Sequence, residues 1–170
     1  GFGAVKTRLA EGVATLDTAI SASETISDLL IEMKAKAVQA NQAGLTTATH
    51  NALDADYQAL VNQITSVVST AAFNGVNLVD SSASGYKVLS DISGATLDFT
   101  PAGLDVSSIG LSGGDLLNAT NAATAVTAVD SAIDAVNLEI AAQGAFSRAL
   151  NIQNNFVTKL SDTLTTGIGN

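Results

Sequence analysis

Few residues of this chain have the types and spacing that chemistry needs. His50 is its one histidine, and with Asp54 it makes an i,i+4 pair, with Asp56 close by. On a helix such residues share a face and could offer two or three ligands to a cation. Without a second histidine or any cysteine, the mixed set makes a poor transition-metal site. The plainer reading is a solvated acidic first turn, favoured by the helix dipole. Ser112-Gly113-Gly114-Asp115 has the look of a phosphate-cradling loop, but no Gly-Lys-Ser/Thr follows and no parallel strand is evident before it. It reads as a flexible joint ahead of a helix. Asp91 and Asp98 could form a carboxylate pair, yet they flank an expected hairpin turn with no concave apolar pocket implied around them, and read as surface charges. Asn118-Ala119-Thr120 fits the N-glycosylation sequon, a weak pattern. No serine–histidine–acid pattern suggests a triad. The sequence therefore predicts no catalytic residue, metal site or cofactor, and a structural rather than enzymatic role.

Composition narrows the scaffold. The 170 residues are 46% hydrophobic but only 4% aromatic, with one methionine and no tryptophan, so the core must be built from Ala, Val, Leu and Ile. Such residues suit thin, closely packed helices. The net charge of −9, with scattered basic residues, disfavours nucleic acid and anionic membrane as partners. Apolar runs fall well short of 18 residues, so no membrane insertion is expected. The opening Gly1-Phe2-Gly3-Ala4-Val5-Lys6 lacks the order of a signal peptide. Zero cysteines remove disulfides, thiolate nucleophiles and zinc–thiolate sites together. Pro101, the single proline, lies mid-chain and leaves both flanks free to be continuous helix.

Apolar spacing places the elements. Over residues 4–43, Val5, Leu9, Val13, Leu16 and Ile20 recur at three- and four-residue steps, and the stripe then shifts to Ile26, Leu30, Met33 and Ala37. This predicts one long helix whose apolar face drifts because its repeat is not strictly heptad. Gly12 costs about 1 kcal/mol there, too little to break a packed helix, and Gly44 is the natural stop. Thr46 to Asn51 read as a polar turn, with Thr49 or Asn51 as the N-cap. A second helix over 51–73 carries Leu53, Tyr57, Leu60, Ile64, Val67 and Ala71, and ends at Phe73-Asn74-Gly75. Residues 76–114 read as a small β region, with Tyr86–Leu89 and Ala95–Phe99 as strands around a Ser90–Gly94 turn, followed by a short apolar piece from Leu104 to Leu111. A last long helix over 121–165 buries Val126, Val129, Ile133, Val136 and Ile140, then Phe146, Leu150, Phe156 or Val157, Leu160 and Leu164, with Gly144 where the stripe changes phase. The fold class is mainly α with a small β element, an elongated bundle of two long helices and one shorter helix plus a β-hairpin region. Three such stripes can bury one another only side by side, as a rod.

Three ordered blocks carry a family likeness. Thr70 to Leu78, with Phe73, Asn74 and Gly75 at its centre, resembles the Phe-Asn-Gly-x-x-Leu signature that closes the second helix of bacterial flagellins. Leu30 to Asn41 is similar to the family's Ala-Val-Gln stretch at the end of the first long helix. Asp130-Ser131-Ala132-Ile133, followed by Gly144-Ala145-Phe146-Ser147-Arg148-Ala149-Leu150, resembles the Gly-Ala-x-x-Asn/Ser-Arg pattern of the C-terminal helix. The likeness covers about two thirds of the chain, most like flagellins of alphaproteobacterial type. It implies a filament subunit exported unfolded through the flagellar type III apparatus, without a cleaved signal, to an extracellular flagellum. Other subunits, hook-associated and cap proteins, the export apparatus and its chaperone are the implied partners.

Two departures from the family pattern give further expectations. The terminal segments that pair into the family's inner tube are missing here, which reads as a trimmed or proteolysed core of a short flagellin and implies a soluble monomer. Where many flagellins carry Gln-Arg-x-Arg-Glu-Leu, this chain has Ile31, Glu32, Met33, Lys34, Ala35 and Lys36. The resemblance implies that animal innate receptors read that surface, so Ile31, Glu32, Lys34, Ala35, Val38 and Gln39 form the candidate receptor or subunit-contact surface. Glu32 reverses charge where a bidentate arginine would sit, which implies weak or absent receptor activation. The bland reading is a set of solvent-facing helix positions. Two other functions stay open: the related hook–filament junction protein, and a surface module binding carbohydrate or a host protein through Tyr86 and Phe99, for which few aromatics are present.

Overall fold

The computed structural model describes residues 1–169. Its first helix, α1 (Phe2–Ala40), buries Val5, Leu9, Gly12, Leu16, Ala19, Ser23, Ile26, Leu30, Met33, Ala37 and Ala40. Apart from Thr15, which is buried beside them where Tyr86 packs on the helix, those positions alternate in steps of four and three, so the seam is a heptad and does not drift as the apolar residues alone suggest. Gly12, Ala19 and Ser23 complete it, while Val13 and Ile20 sit half-buried beside it. A heptad keeps one edge of a helix against a partner over its whole length by gentle left-handed supercoiling. That partner is α3 (Ala119–Gly169), which runs antiparallel to α1. Lys34 bonds Asp130 at one end of the pair, and Gly12 meets Leu150 near the other.

The α3 seam keeps the heptad from Ala122 to Gln143, then takes two four-residue steps in succession through Ser147. The change of phase falls at Gly144. Around it the seam is polar: Glu139, Gln143 and Ser147 are all buried. Farther on, Val157 is the buried choice of the Phe156/Val157 pair; Phe156 and Leu164 are exposed.

The second helix, α2 (Thr47–Thr70), packs against α1. It starts earlier than the polar stretch suggests, because Thr46 is the N-cap, its Oγ1 accepting the Thr49 N–H at 3.1 Å. Thr49 is thus the capped residue, not the cap. The connection is short: α1 ends at Ala40, and Gly44 takes φ +82° in the turn. Helix α2 also ends earlier, at Thr70, because Phe73-Asn74-Gly75 belongs to a hairpin. Strands β1 (Ala72–Phe73) and β2 (Val76–Asn77) pair antiparallel, with Asn74 at φ 50° and Gly75 at φ 79° forming the two-residue turn that hairpins favour. Buried Asn77 ties it down. Its Nδ2 donates to Val68 O at 2.8 Å, while its Oδ1 accepts the N–H groups of Val79 and Asp80.

A second antiparallel hairpin, β3 (Tyr86–Leu89) with β4 (Thr96–Phe99), lies on the rod. Residues 104–111 form turns rather than an extended piece, yet they bury Leu104, Ile109 and Leu111. Side chains of the helices hold this β region. Tyr86 OH donates to Thr15 Oγ1 at 3.2 Å, Gln153 Nε2 to Ser90 O at 2.7 Å, and the Ala102 N–H to Glu139 Oε2 at 2.9 Å. Phe99 and Phe146 stack with centroids 5.2 Å apart. The architecture is mainly α, three helices with two small hairpins.

Gly12 is required by close approach. A Cβ there would lie 3.0 Å from Leu150 Cδ1 and 3.1 Å from both Val88 methyls. We predict that Gly12→Val destabilises by about 1–3 kcal/mol through overpacking, outweighing the roughly 1 kcal/mol or less gained by replacing a helical glycine; urea titration followed by circular dichroism reads the shift. Burial raises the Glu139 carboxyl pKa above its ordinary value, an effect the Ala102 hydrogen bond only partly offsets. The folded state therefore holds that proton more tightly, and the group's penalty on stability is relieved as pH falls through its folded pKa. Glu139→Gln keeps an acceptor for Ala102. The difference in melting temperature between variant and parent should favour the variant at pH 7 and shrink as pH approaches 4; a pH-independent difference would refute this account.

Candidate interaction surface

The heptad of α1 sorts the predicted surface residues without ambiguity. Met33, Ala37 and Ala40 face the seam, which turns Ile31, Glu32, Ala35, Val38 and Gln39 outward. Lys34 is half-exposed and bonded to Asp130 of α3 at 2.7 Å. Lys36 reaches the other way, to Asp56 of α2 at 3.1 Å. Glu32, Ala35, Lys36 and Gln39 line one side of an open groove of about 530 Å³, and Asp56, Ala59 and Leu60 of α2 line the other. Ile31, Lys34 and Val38 are not part of that lining. With both lysines engaged, Glu32 is the exposed charge left on this stretch.

The signature residues do not form one site. Phe73 and Asn74 line a shallow groove of about 350 Å³ with Arg8, Glu11 and Thr15, where Arg8 already bonds Glu11 at 3.0 Å. Arg148 is exposed on α3 and is not among those lining residues. The Asn-Gly pair is there for its backbone, since its role in the structure is the hairpin turn.

His50 and Asp54 do not form a solvated first turn. His50 is buried, and its Nδ1 lies 3.0 Å from the Leu116 carbonyl oxygen, to which it donates. Asp54 Oδ1 accepts the Leu116 N–H at 2.9 Å and the Gln58 amide at 3.1 Å. Together they clamp both backbone groups of one residue in the lead-in to α3. The sequence hides this because the partner stands 66 residues away. Among the described residues, no group of three His, Cys, Asp or Glu side chains could hold a metal ion.

Ser112-Gly113-Gly114-Asp115 is part of the same lead-in. Asp115 Oδ1 accepts from the Leu117 N–H and the Asn121 amide, and Asn118 Oδ1 caps α3 by accepting the Asn121 N–H at 2.8 Å. The stretch is therefore a hydrogen-bonded cap rather than a flexible joint, and the sequon asparagine is its capping residue. The loop borders a cleft of about 290 Å³ that Tyr57 also lines. Burial, then the Asp54 and Asp115 charges, push the Tyr57 phenol pKa up, keeping it protonated. Asp91 and Asp98 serve their own hairpin: Asp91 accepts from Ser93 and Ala95 in the turn, and Asp98 pairs with Lys87 at 3.1 Å. Among the described residues, no helix is long and apolar enough to cross a membrane.

One surface escaped the sequence reading. Leu138, Ile152 and Phe156 lie exposed on the outward side of α3. A search for the buried stripe discards such residues or, as with Phe156, assigns them to the core; their spacing on one face is the signal that could have found them.

Comparison with known proteins agrees with this architecture. Residues 2–84 match the model of the bacterial flagellin N-terminal helical region. The chain is 36% identical over 168 residues to flagellin FljM and to flagellin FljO of Caulobacter vibrioides, covering 98% of this chain and 62% of each relative. Among solved structures it superposes on Bacillus cereus flagellin with a TM-score of 0.79 at 25% identity, covering 95% of this chain and 94% of that one. A Vibrio parahaemolyticus protein assigned to the flagellar hook-associated group gives a TM-score of 0.81 at 14% identity, over 99% and 90% of the two chains. That last likeness is one of fold alone.

Proposed function

We propose that this chain, which matches bacterial flagellins in sequence and fold, is a flagellin and a structural subunit of the flagellar filament, self-associating outside the cell to carry motility. The observation that carries the reading is sequence identity to flagellins along 168 residues, on a rod whose buried polar groups serve its own packing. The chain spans 62% of the length of those relatives. The hook–filament junction reading shares the fold but not the level of identity, which favours the filament. Export through the flagellar apparatus with its chaperone, and contact with hook-associated and cap proteins, follow as part of the same proposal. The β region presents Tyr86 half-buried and Phe99 buried against Phe146, which leaves a carbohydrate-binding module little aromatic surface.

We also propose that the α1 surface around Glu32 activates the animal flagellin receptor weakly. Glu32 is exposed and acidic, and the two neighbouring lysines are engaged within the rod, so no guanidinium is offered for bidentate pairing.

Two measurements test these readings. The purified full-length gene product, seeded with filament fragments, should grow into uniform helical filaments under the electron microscope. A protein that stays monomeric with seeds present is not a filament subunit. In receptor-bearing reporter cells, Glu32→Arg should raise the response by roughly tenfold, the effect of about 1.4 kcal/mol in binding; a parent protein already responding at the variant's level would sink the receptor proposal.

A further inference from the structure

The outward face of α3 carries an apolar band that the rod does not use. Leu138, Ile152 and Phe156 are 74%, 69% and 56% exposed. At 100° per residue they fall on one side of the helix, and the positions between them on that side are alanines (141, 142, 145 and 149). No charged residue shares the face from Leu138 to Phe156. The band is about 27 Å long, and an apolar surface of that extent marks an interaction site rather than scattered exposure.

Charge indicates what covers it. Arg148 borders the band and Lys159 stands one turn beyond it, and neither is in an ion pair among the described residues, in a chain of net charge −9. The complement exists on α1. Ile31 and Val38 are 56% and 47% exposed there, edged by exposed Glu24, Asp28 and Glu32, which are likewise in no ion pair among the described residues. An apolar band that ends in an unpaired lysine thus has, as its complement, an apolar patch bordered by unpaired carboxylates.

The register can be worked out. Within one rod, α3 lies antiparallel on α1 with Leu150 at Gly12 and Asp130 at Lys34. Two rods pointing the same way keep that antiparallel relation between the α3 of one and the α1 of the next. Setting Ile152 against Ile31 then sets Ala145 against Val38 and Lys159 against Glu24 and Asp28. This match displaces one rod along the other by roughly 20 residues, on the order of 30 Å.

We propose that the outward α3 face from Ala145 to Lys159 docks on the acid-edged α1 face around Ile31 and Val38 of a second copy, displaced by about 30 Å along the rod. The inference rests on the filament reading and says which faces make the contact. The two faces differ, so each copy offers one of each and the contact propagates instead of closing into a dimer. A band this narrow buries less than the ~1,200 Å² that a stable pair needs, so a single contact is weak and gains force only in an array.

These 170 residues hold no cysteine, so cross-linking is specific once any cysteine elsewhere in the full-length protein is replaced by serine. Full-length protein carrying Ile152→Cys is mixed at high concentration with protein carrying Ile31→Cys under mild oxidation. The mixed disulfide should exceed, by roughly tenfold, that of a control pair with Asn62→Cys on the exposed side of α2 in place of Ile31→Cys. The double change Glu24→Lys with Asp28→Lys should abolish it, and Lys159→Glu in the partner should restore it. A mixed yield no higher than the control, or a predominance of Ile152→Cys homodimers, overturns the docking. Filament growth is scored separately on unmodified protein. Filaments without the mixed disulfide leave the filament reading standing and this one refuted, whereas the mixed disulfide from a protein that never polymerises does the reverse.

Discussion

Everything in this molecule hangs on the contact between α1 and α3. The seam is made of small residues at its critical points, with Gly12 lying where α3 and β3 both press on α1. Thr15 and Ser23 enter the same buried edge at small cost because each hydroxyl donates to a carbonyl one turn back, Thr15 to Glu11 O at 2.8 Å and Ser23 to Ala19 O at 2.7 Å. A bulky aromatic core would push the helices apart. The scarcity of aromatics is therefore a condition of the geometry, and the rod stays thin because its seam is filled by methyls, hydroxyls and one bare glycine.

The β region is a dependent of that rod. Its hairpins are too small to fold alone, and polar side chains from the helices hold them in place through Tyr86, Gln153 and Glu139. The loop before α3 is pinned in the same way by His50 and Asp54. Residues that look chemical in one dimension turn out to be backbone partners in three. Buried donors and acceptors have to be paired, and this chain spends its lone histidine and several carboxylates on that requirement.

The helices were legible because an apolar residue every three or four positions leaves little choice of structure. The hairpin from Tyr86 to Phe99 was legible for the matching reason, two extended runs around a polar turn. What escaped followed a pattern. The heptad was missed because Gly12, Ser23, Gln143 and Ser147 occupy seam positions, and a search for hydrophobic residues steps over them. Thr46 was passed over as a cap because Thr49 and Asn51 are equally suitable by type, and only the backbone geometry distinguishes them. Phe73-Asn74-Gly75 reads equally as a helix stop or a hairpin turn, since both need left-handed backbone. Of the candidate surface, Ile31 and Glu32 through Gln39 followed from family likeness, and the outward band of α3 did not, because exposed apolar residues resemble errors in a buried stripe.

The polar stretch in the α3 seam divides it into unlike lengths. Gln143 is wholly buried, and neither atom of its amide finds a hydrogen-bond partner in the structure. It stands beside the change of phase, with Glu139 and Ser147 on either side. An apolar heptad grips on the N-terminal side of this point, from Ala122 to Val136, while beyond it only Leu150 and Val157 carry the buried apolar edge. A seam built this way is not uniform along its length: the interlock is closest in the first half of α3 and is broken by polar groups at the middle of the helix.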